Sequence, residues 1–422
     1  MADSEFLNAM VRFRKIAFKH TGPFIPEMAA ELFFKNLPDA FFRDKWARVP
    51  NLNVLGSYFT VLGSASLVPK AVCVTIALEK MEDRTLMADN RSKTIFVFTG
   101  QGAQYHGMAH LLYDTEPVFK NTMDELDAIA KNKTGSSVTG FLYGESGENS
   151  SQMAFDDITI SHPALFMVQF SLAKTLIHCG VKPDLLLGTS LGEFVAMAVA
   201  KVMTPEKMLS AILEHARLVK ASCPQGSMVG VWDWHQRYEI DKALYNQVSL
   251  AAVSSPKHFV LSGDLGPMQQ VIAHLEKADT LVQPLPIKYG FHSPAIEPVQ
   301  TPWKEKLKTI IQDAGGLNSP MIDMLSCCTG GFVRQPDIDF LVRIGRDPIF
   351  LPNTLEVLVR RLSEQSLPPF LNIIDLGPGS FTSGFIRQNK ILKPPLNVFR
   401  VMTLFGNEIK NLEKIKTKVI SS

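Results

Sequence analysis

The chain has 422 residues, with 43 lysines and arginines against 41 aspartates and glutamates, so its formal net charge is +2. This length can bury one large core or two to three smaller ones, and the balanced charge gives no electrostatic reason to expect nucleic acid as a partner. No apolar run reaches the about 18 residues that favour a membrane span, and residues 1–20 lack a secretory signal pattern, so we expect a cytoplasmic protein.

Residues 1–90 carry aromatic and apolar side chains at roughly helical spacing, interrupted by prolines, and predict a mostly helical extension of unknown role. From residue 94 to about residue 402, strand-like and helix-like segments alternate. This alternation favours an α/β core with a mostly parallel sheet. The predicted helices lie near 107–131, 162–179, 191–201 and 205–223, and the predicted strands near 95–98, 184–187, 321–326, 371–376 and 396–402.

Residues 225–288 follow a different order. The segments there read strand, helix, strand, strand, helix and strand, near 228–231, 237–246, 248–253, 259–262, 266–277 and 281–287. This is the order of the split βαβ, ferredoxin-like arrangement. We therefore predict a ferredoxin-like small subdomain at 225–288, inserted into a core formed by residues 94–224 and 289–410.

The most informative motif is the pentapeptide GTSLG at residues 188–192. It follows the apolar run at 184–187 and precedes a predicted helix, which is the strand–turn–helix setting of a G-x-S-x-G nucleophile elbow. The glycines permit close passage of strand and helix, and a helix N-terminus favours developing negative charge. The motif is short enough to occur by chance, but this setting favours Ser190 as a nucleophile.

A serine nucleophile needs a base within hydrogen-bond reach, and that base is most often histidine. Among the ten histidines, His292 stands out because it follows a predicted strand in a turn that contains Gly290 and Pro294. Its position alone leaves other histidines open. His106 and His110 have the spacing of two metal ligands, but a third ligand is lacking, and the five cysteines do not have the spacing of a zinc site. We predict no metal and no cofactor.

Four motifs in chain order resemble those of the acyltransferase family of fatty acid and polyketide synthases, the malonyl-CoA:acyl-carrier-protein transacylases and their relatives. They are GQGAQ at 100–104, GTSLGE at 188–193, FHSP at 291–294 and DLGPG at 375–379, within a resemblance that covers about residues 94–410. The resemblance implies an α/β-hydrolase-like core in which Ser190 is the nucleophile and His292 its base, oriented by a backbone carbonyl. It also implies an oxyanion hole of the backbone N–H groups of Gln101 and Leu191, each lowering the barrier by about 3 kcal/mol.

One position of the implied acyl pocket departs from the malonyl-transferring pattern. In such relatives an arginine on the helix after the elbow pairs with the malonyl carboxylate, and the ungapped position here is His215. Arg217 takes that place only if the register shifts, because two residues along a helix turn a side chain by about 200°. A buried carboxylate without its arginine is costly, and histidine is a weaker, pH-dependent partner.

Further departures point the same way. Compared with the family pattern, Thr189 replaces a histidine, His162 a glutamine and Ser254 an asparagine, and Phe350 lies where a glutamine is common. We therefore predict an acyl pocket that is more apolar than a malonyl pocket. Its residues are predicted to be His162, Thr189, His215, Ser254 and Phe291.

This pattern is similar to one branch of the family, the discrete acyl hydrolases of trans-acyltransferase polyketide synthases. The resemblance implies an enzyme that takes acyl groups from acyl-carrier-protein thioesters onto Ser190 and releases them to water. It implies acyl carrier protein, polyketide synthase modules and acyl-CoA as partners. Two alternatives stay open: a trans-acting malonyl- or acyl-CoA:acyl-carrier-protein transacylase, and a non-catalytic docking protein, against which the intact Ser190 and His292 argue.

Overall fold

The structure is a computed structural model that describes residues 92–144, 155–365, 368–403 and 406–420. The extension predicted for residues 1–90 lies outside these residues. The strands are β1 Lys93–Phe98, β2 Leu185–Gly188, β3 Gly226–Val231, β4 Ser249–Ser255, β5 His258–Asp264, β6 Val282–Pro284, β7 Asp323–Ser326, β8 Gly331–Val333, β9 Ile349–Phe350, β10 Leu371–Asp375 and β11 Leu396–Arg400. The α-helices are α1 His110–Thr115, α2 Pro117–Thr134, α3 Val138–Tyr143, α4 Ile158–His178, α5 Leu191–Val199, α6 Pro205–Ser222, α7 Arg237–Ile240, α8 Lys242–Tyr245, α9 Leu265–Lys277, α10 Glu297–Asp313, α11 Ile338–Arg343, α12 Leu351–Gln365, α13 Phe381–Asn389 and α14 Glu408–Ile420.

The larger sheet has the strand order β11–β10–β1–β2–β7–β8. All neighbouring pairs are parallel except β7 and β8. The central strands β1, β2 and β10 are almost wholly buried, as expected for continuous apolar runs in a parallel sheet that helices cover on both faces. The predicted α/β core with a mostly parallel sheet is therefore confirmed.

The centre of this sheet positions the nucleophile elbow. Strands β1 and β2 are neighbours and end together, with Phe98 paired to Gly188. The loop after β1 therefore lies beside the turn after β2, at the carboxyl edge of the sheet, where open α/β sheets bind their ligands. The approach is so close that a Cβ atom added to Gly100 would lie 2.8 Å from the Cβ atom of Ser190. Glycine at position 100 is thus required by the packing of the two loops.

The smaller sheet has the strand order β6–β3–β5–β4–β9. Its first four strands pair antiparallel, and β9 pairs parallel to β4. The elements between residues 226 and 284 follow the predicted order, except that two short helices, α7 and α8, take the place of the first predicted helix. These elements have a small apolar core of their own, which includes Val229, Phe259 and Met268. Strand β9 comes from a later part of the chain and ties this sheet to the following core segment.

Two predicted helix boundaries are wrong, and each has a local cause. The first helix predicted after β1 is two helices, α1 and α2, because Glu116 is extended and Pro117 begins a new helix. The next predicted helix, α4, begins four residues earlier than expected, at Ile158. Its start is stabilised by the Asp157 side chain, which accepts a hydrogen bond from the backbone N–H of Thr159.

Two predictions for the insert also need correction. The helix predicted near 237–246 is two four-residue turns, α7 and α8, separated at Asp241. The strand predicted near 281–287 is shortened to β6, Val282–Pro284. Among the residues described, no helix combines the length and apolar character needed to cross a bilayer.

Candidate active site

Ser190 lies in the sharp turn between β2 and α5, with φ 52° and ψ −125°. A positive φ is uncommon for a residue with a side chain and marks a conformation that the surrounding structure must enforce. The enforcement comes from close packing: a Cβ atom added to Gly188 would lie 2.6 Å from the Cα atom of Glu193. The elbow therefore presents the Ser190 hydroxyl at the N-terminus of α5, as the sequence motif predicted.

His292 is the histidine that the structure brings to this hydroxyl. Its Nε2 atom lies 2.9 Å from Ser190 Oγ, and its Nδ1 atom lies 2.7 Å from the backbone carbonyl oxygen of Asp347. Because a carbonyl oxygen can only accept, Nδ1 carries the proton, and Nε2 offers its lone pair to the Ser190 O–H. The backbone N–H of His292 also donates to the Gly345 carbonyl at 2.9 Å. The arrangement can therefore move a proton from the serine to the imidazole.

The environment of His292 keeps it in the base form. The residue is 4% exposed, and burial lowers the pKa of His292 to about 4, although the hydrogen bond to the Asp347 carbonyl acts in the opposite direction. Burial has this effect because it disfavours the charged imidazolium. At neutral pH the ring is therefore uncharged and able to accept a proton.

The backbone amides of Gln101 and Leu191 flank the elbow. Leu191 begins α5, and Gln101 follows the glycine packed against Ser190. Within the described part of the chain, neither backbone N–H donates to another protein group. The Gln101 side chain is anchored, since its Nε2 donates to Ser161 Oγ at 3.2 Å and its Oε1 lies 2.9 Å from His162 Nε2. Two backbone N–H groups beside the nucleophile can donate hydrogen bonds to an oxyanion that develops during the reaction.

A cavity of about 200 Å³ opens beside Ser190. The residues predicted from the sequence to form the site all line it: Gln101, His162, Thr189, Ser190, Leu191, His215, Ser254, Phe291 and His292. Phe350 does not line it, whereas its neighbours Ile349 and Leu351 do. Sequence reasoning missed part of the lining, which includes Trp232, His258, Phe381 and Phe385. Of the described residues that line this cavity, none is a lysine, arginine, aspartate or glutamate.

Two buried histidines occupy one wall of the cavity. Burial lowers the pKa of His162 to about 3, with a smaller contribution from His215, and lowers the pKa of His215 to about 4. The two ring centroids lie 6.4 Å apart, and the ring of His215 packs against Trp303 with centroids 4.9 Å apart. Both rings are therefore neutral at neutral pH, so they add polar atoms but no positive charge to the cavity.

Arg217 does not reach the cavity. Its Nε and Nη2 atoms donate to the carboxylate oxygens of Glu214 at 2.9 and 2.8 Å, and its side chain is 59% exposed. On the same helix His215 is buried and lines the cavity. The alternative in which a register shift brings Arg217 to the acyl pocket is therefore wrong, and the position facing the cavity carries histidine.

The carboxyl group of Glu193 is buried directly behind the elbow. Its Oε1 atom accepts a hydrogen bond from the backbone N–H of Cys328 at 2.8 Å, and the residue has no exposed surface. Burial raises the pKa of Glu193 to about 8. At neutral pH this side chain is mostly protonated, and it links the first turn of α5 to the segment after β7.

We expect Glu193→Gln to flatten the pH dependence of stability. A carboxyl whose pKa rises from 4.5 unfolded to about 8 folded stabilises the protein fully below pH 4.5 and loses that contribution as pH rises toward 8. Glutamine cannot ionise. The free energy of unfolding of the Glu193→Gln protein, measured by urea denaturation, should therefore fall less than that of the parent protein from about pH 5 to about pH 8. The exposed Glu276→Gln is the control and should follow the parent. Identical profiles for Glu193→Gln and the parent would contradict this assignment.

Two further features of the sequence have structural roles: the His106–His110 pair and the DLGPG motif, which begins at Asp375. The ring of His106 packs against Phe155 with centroids 5.0 Å apart, and among the described residues no group of three or more potential ligands could hold a metal ion. Asp375 accepts hydrogen bonds from the backbone N–H groups of Gly377 at 3.0 Å and Ser383 at 2.8 Å. Its carboxylate therefore organises the turn from β10 into α13 rather than contacting His292.

Comparison with known proteins places this geometry in context. Residues 95–325 match the acyl transferase domain family. The chain is 34% identical over 325 residues to the polyketide biosynthesis acyltransferase homolog PksD of Bacillus subtilis, a match that covers 76% of this chain and 95% of PksD. It is 33% identical over 319 residues to the polyketide biosynthesis protein ThaF of Burkholderia thailandensis, covering 76% of this chain and 26% of ThaF.

Solved structures show the same fold. The acyltransferase domain from the second module of the salinomycin polyketide synthase superposes with a TM-score of 0.65 at 22% identity, covering 83% of this chain and 80% of that one. At this identity the likeness concerns the fold alone. The resemblance to polyketide synthase acyltransferases that the four sequence motifs predicted is confirmed.

Proposed function

The chain belongs to the acyl transferase domain family, and we propose that it is an acyl hydrolase of polyketide biosynthesis, acting on acyl groups bound to acyl carrier protein as thioesters. The observation that carries the proposal is the neutral cavity beside Ser190, which buried histidines line and whose described lining residues include no lysine or arginine. The proposal includes a ferredoxin-like subdomain at 225–288 inserted into an α/β-hydrolase-like core, supported by the strand order β6–β3–β5–β4. We also propose that the enzyme acts in the cytoplasm.

In the first half of the proposed reaction, Ser190 takes the acyl group. His292 Nε2, 2.9 Å from the hydroxyl, accepts the serine proton while Oγ attacks the thioester carbonyl. The carbonyl oxygen becomes an oxyanion that the backbone N–H groups of Gln101 and Leu191 stabilise. The intermediate collapses, the C–S bond breaks, and the leaving thiolate takes the proton from His292.

In the second half, water replaces the thiol. His292 accepts a proton from water as its oxygen attacks the acyl-serine carbonyl, and the returning proton reprotonates Ser190 Oγ when the C–O bond breaks. The products are a free carboxylic acid and the parent enzyme. A transacylase would use the same first half and differ only in a carrier-protein thiol as the second nucleophile.

The neutral cavity selects against a malonyl group. A malonyl ester carries a carboxylate that would be buried beside His162 and His215, whose pKa values burial lowers to about 3 and about 4. A buried carboxylate is stabilised chiefly by a charged, hydrogen-bonded partner, and a neutral imidazole supplies no charge. Uncharged acyl groups avoid this cost.

The direct test loads acyl carrier protein with acetyl, butyryl or malonyl groups and incubates each with the purified full chain. Free acid, unloaded carrier protein and acyl-serine are followed by mass spectrometry. Release of acetate and butyrate, with the carrier protein returned to its thiol form, supports hydrolysis. Efficient transfer of malonyl groups from malonyl-CoA to carrier protein, without free acid, would instead establish the transacylase and refute the hydrolase.

His215→Arg should increase malonyl loading. The substitution places a guanidinium where the cavity now has a neutral ring, and a bidentate pair with the malonyl carboxylate then offsets its desolvation. We expect about a tenfold or greater rise in the rate of malonyl-serine formation, measured by intact-protein mass spectrometry. The matched control is Arg217→Ala, which removes an exposed arginine of the same helix paired to Glu214 and should leave malonyl loading unchanged. An effect of Arg217→Ala alone would mean that Arg217 is the group that reaches the substrate.

A further inference from the structure

His215 is a buried polar side chain that lacks a polar partner within a site built for a ligand. It lines the cavity and is 8% exposed. Its ring packs against Trp303 and Phe291, with centroids 4.9 and 6.2 Å away. No described residue forms a hydrogen bond with it. The ring nitrogens of His215 are not among the fully buried described atoms that lack a partner, so the ring keeps access to the cavity, where a bound group can form a hydrogen bond with it.

The other buried histidine of this wall is already engaged. The Nε2 atom of His162 lies 2.9 Å from Gln101 Oε1, and the Gln101 amide nitrogen donates to Ser161 Oγ. Because the amide oxygen accepts, His162 Nε2 carries the proton and donates it in a hydrogen bond within the protein. The remaining ring nitrogen of His162, Nδ1, has no hydrogen-bond partner among the described residues, but it is fully buried, so a ligand in the cavity cannot reach it. His215 is therefore the histidine of the pair that is available to a ligand.

The chemistry of a neutral imidazole defines that ligand. Burial lowers the pKa of His215 to about 4, so the ring presents one N–H donor and one bare nitrogen acceptor. A saturated acyl chain satisfies neither atom, and a carboxylate brings a charge that none of the described lining residues neutralises. A hydroxyl group can both donate and accept, and a keto group can accept.

We infer that His215 recognises an uncharged oxygen substituent on the acyl chain, so that the enzyme releases hydroxyacyl groups in preference to saturated acyl groups of the same length. The inference rests on the proposed function and narrows its substrate class. It makes His215 a specificity-determining residue of the acyl pocket. A site built to hydrogen-bond a substrate hydroxyl discriminates against the analogue that lacks it, because its own polar atoms are then left unpaired.

The test compares carrier protein loaded with butyryl and with each enantiomer of 3-hydroxybutyryl. For the wild-type chain we expect kcat/KM to be about tenfold higher for one 3-hydroxybutyryl enantiomer than for butyryl, the effect of one net hydrogen bond. In His215→Phe, which keeps an aromatic ring but has no donor or acceptor, the ratio of the two kcat/KM values should fall to about one. His215→Gln, which can donate and accept, should keep a preference for the hydroxyacyl group.

Two results would overturn the inference. One is wild-type release of butyryl as fast as or faster than both hydroxybutyryl enantiomers, which needs no variant and holds even if His215→Phe fails to fold. The other is an unchanged ratio in a folded His215→Phe. Failure of the proposed function looks different, because then no free acid appears from any of these thioesters and malonyl groups are transferred instead.

Discussion

Ser190→Ala should abolish the acyl-enzyme and lower the rate of acid release at least about 10⁴-fold, as expected when a catalytic nucleophile is removed. The physical reason is that the substitution deletes the single oxygen that faces His292 Nε2 at 2.9 Å. The remaining amides can still bind a carbonyl, but no covalent intermediate forms. Incubation with butyryl-loaded carrier protein, followed by intact-protein mass spectrometry, measures both the missing adduct and the missing acid.

The fold should survive this change, since alanine tolerates the backbone of residue 190 no worse than serine does. The melting temperature of Ser190→Ala therefore serves as the check on folding. Ser222→Ala, at the exposed end of α6, is the matched serine control and should turn over at the parental rate. If Ser190→Ala released acid at more than about 1% of the parental rate, Ser190 would not be the nucleophile.

His292→Ala should reduce kcat by about 10³-fold or more, because the Ser190 hydroxyl then loses the acceptor that lies 2.9 Å from its oxygen. Asp347 cannot substitute, since it contributes a backbone carbonyl that only orients the ring. The exposed His274→Ala, on α9, is the histidine control and should retain parental activity. Activity close to parental in His292→Ala would show that another of the ten histidines is the base.

The pH profile tests the same residue without a substitution. A protonated imidazole cannot accept the serine proton, so activity falls as pH falls through the folded-state pKa. Burial lowers the pKa of His292 from 6.5 to about 4, so kcat/KM should stay nearly constant from pH 7 down to about pH 5. A loss of activity centred near pH 6.5 would mean that the working base is solvated and that His292 is not that base.

The elbow was predictable because its determinants are local in the chain. A buried strand, two glycines, a serine and a helix within about fifteen residues specify the turn, and the structure places β2, Ser190 and α5 accordingly. The contact between Ser190 and His292 could not be predicted from local sequence. It joins residues 102 positions apart, which no local periodicity encodes, so only the resemblance to a known family selected this histidine among ten.

The group that orients the proposed base could not be found from side-chain chemistry. The carbonyl that orients His292 belongs to Asp347, and every residue has a carbonyl. The aromatic part of the cavity lining was missed for a similar reason, because Trp232 follows β3 while Phe385 lies on α13. Isolated aromatic residues on separate elements look like core residues until tertiary packing brings them to one cavity.

The distinction between His215 and Arg217 shows where simple helix geometry was sufficient. The rotation of about 200° between the two positions predicted that only one could face the pocket. The structure places His215 inside the cavity and pairs Arg217 with Glu214 at the surface. What geometry alone could not supply was the charge state of His215, because that follows from burial by Trp303 and its neighbours.

The neutral cavity beside Ser190 should determine which acyl group the serine holds. The most direct measurement exposes the purified chain to equal concentrations of butyryl- and malonyl-loaded carrier protein, stops the reaction rapidly and quantifies the two adducts on Ser190 by intact-protein and peptide mass spectrometry. We expect butyryl-serine to form and decay to free butyrate, with malonyl-serine at least about tenfold less abundant. Malonyl-serine as the predominant adduct would show that the cavity does not select against the malonyl group.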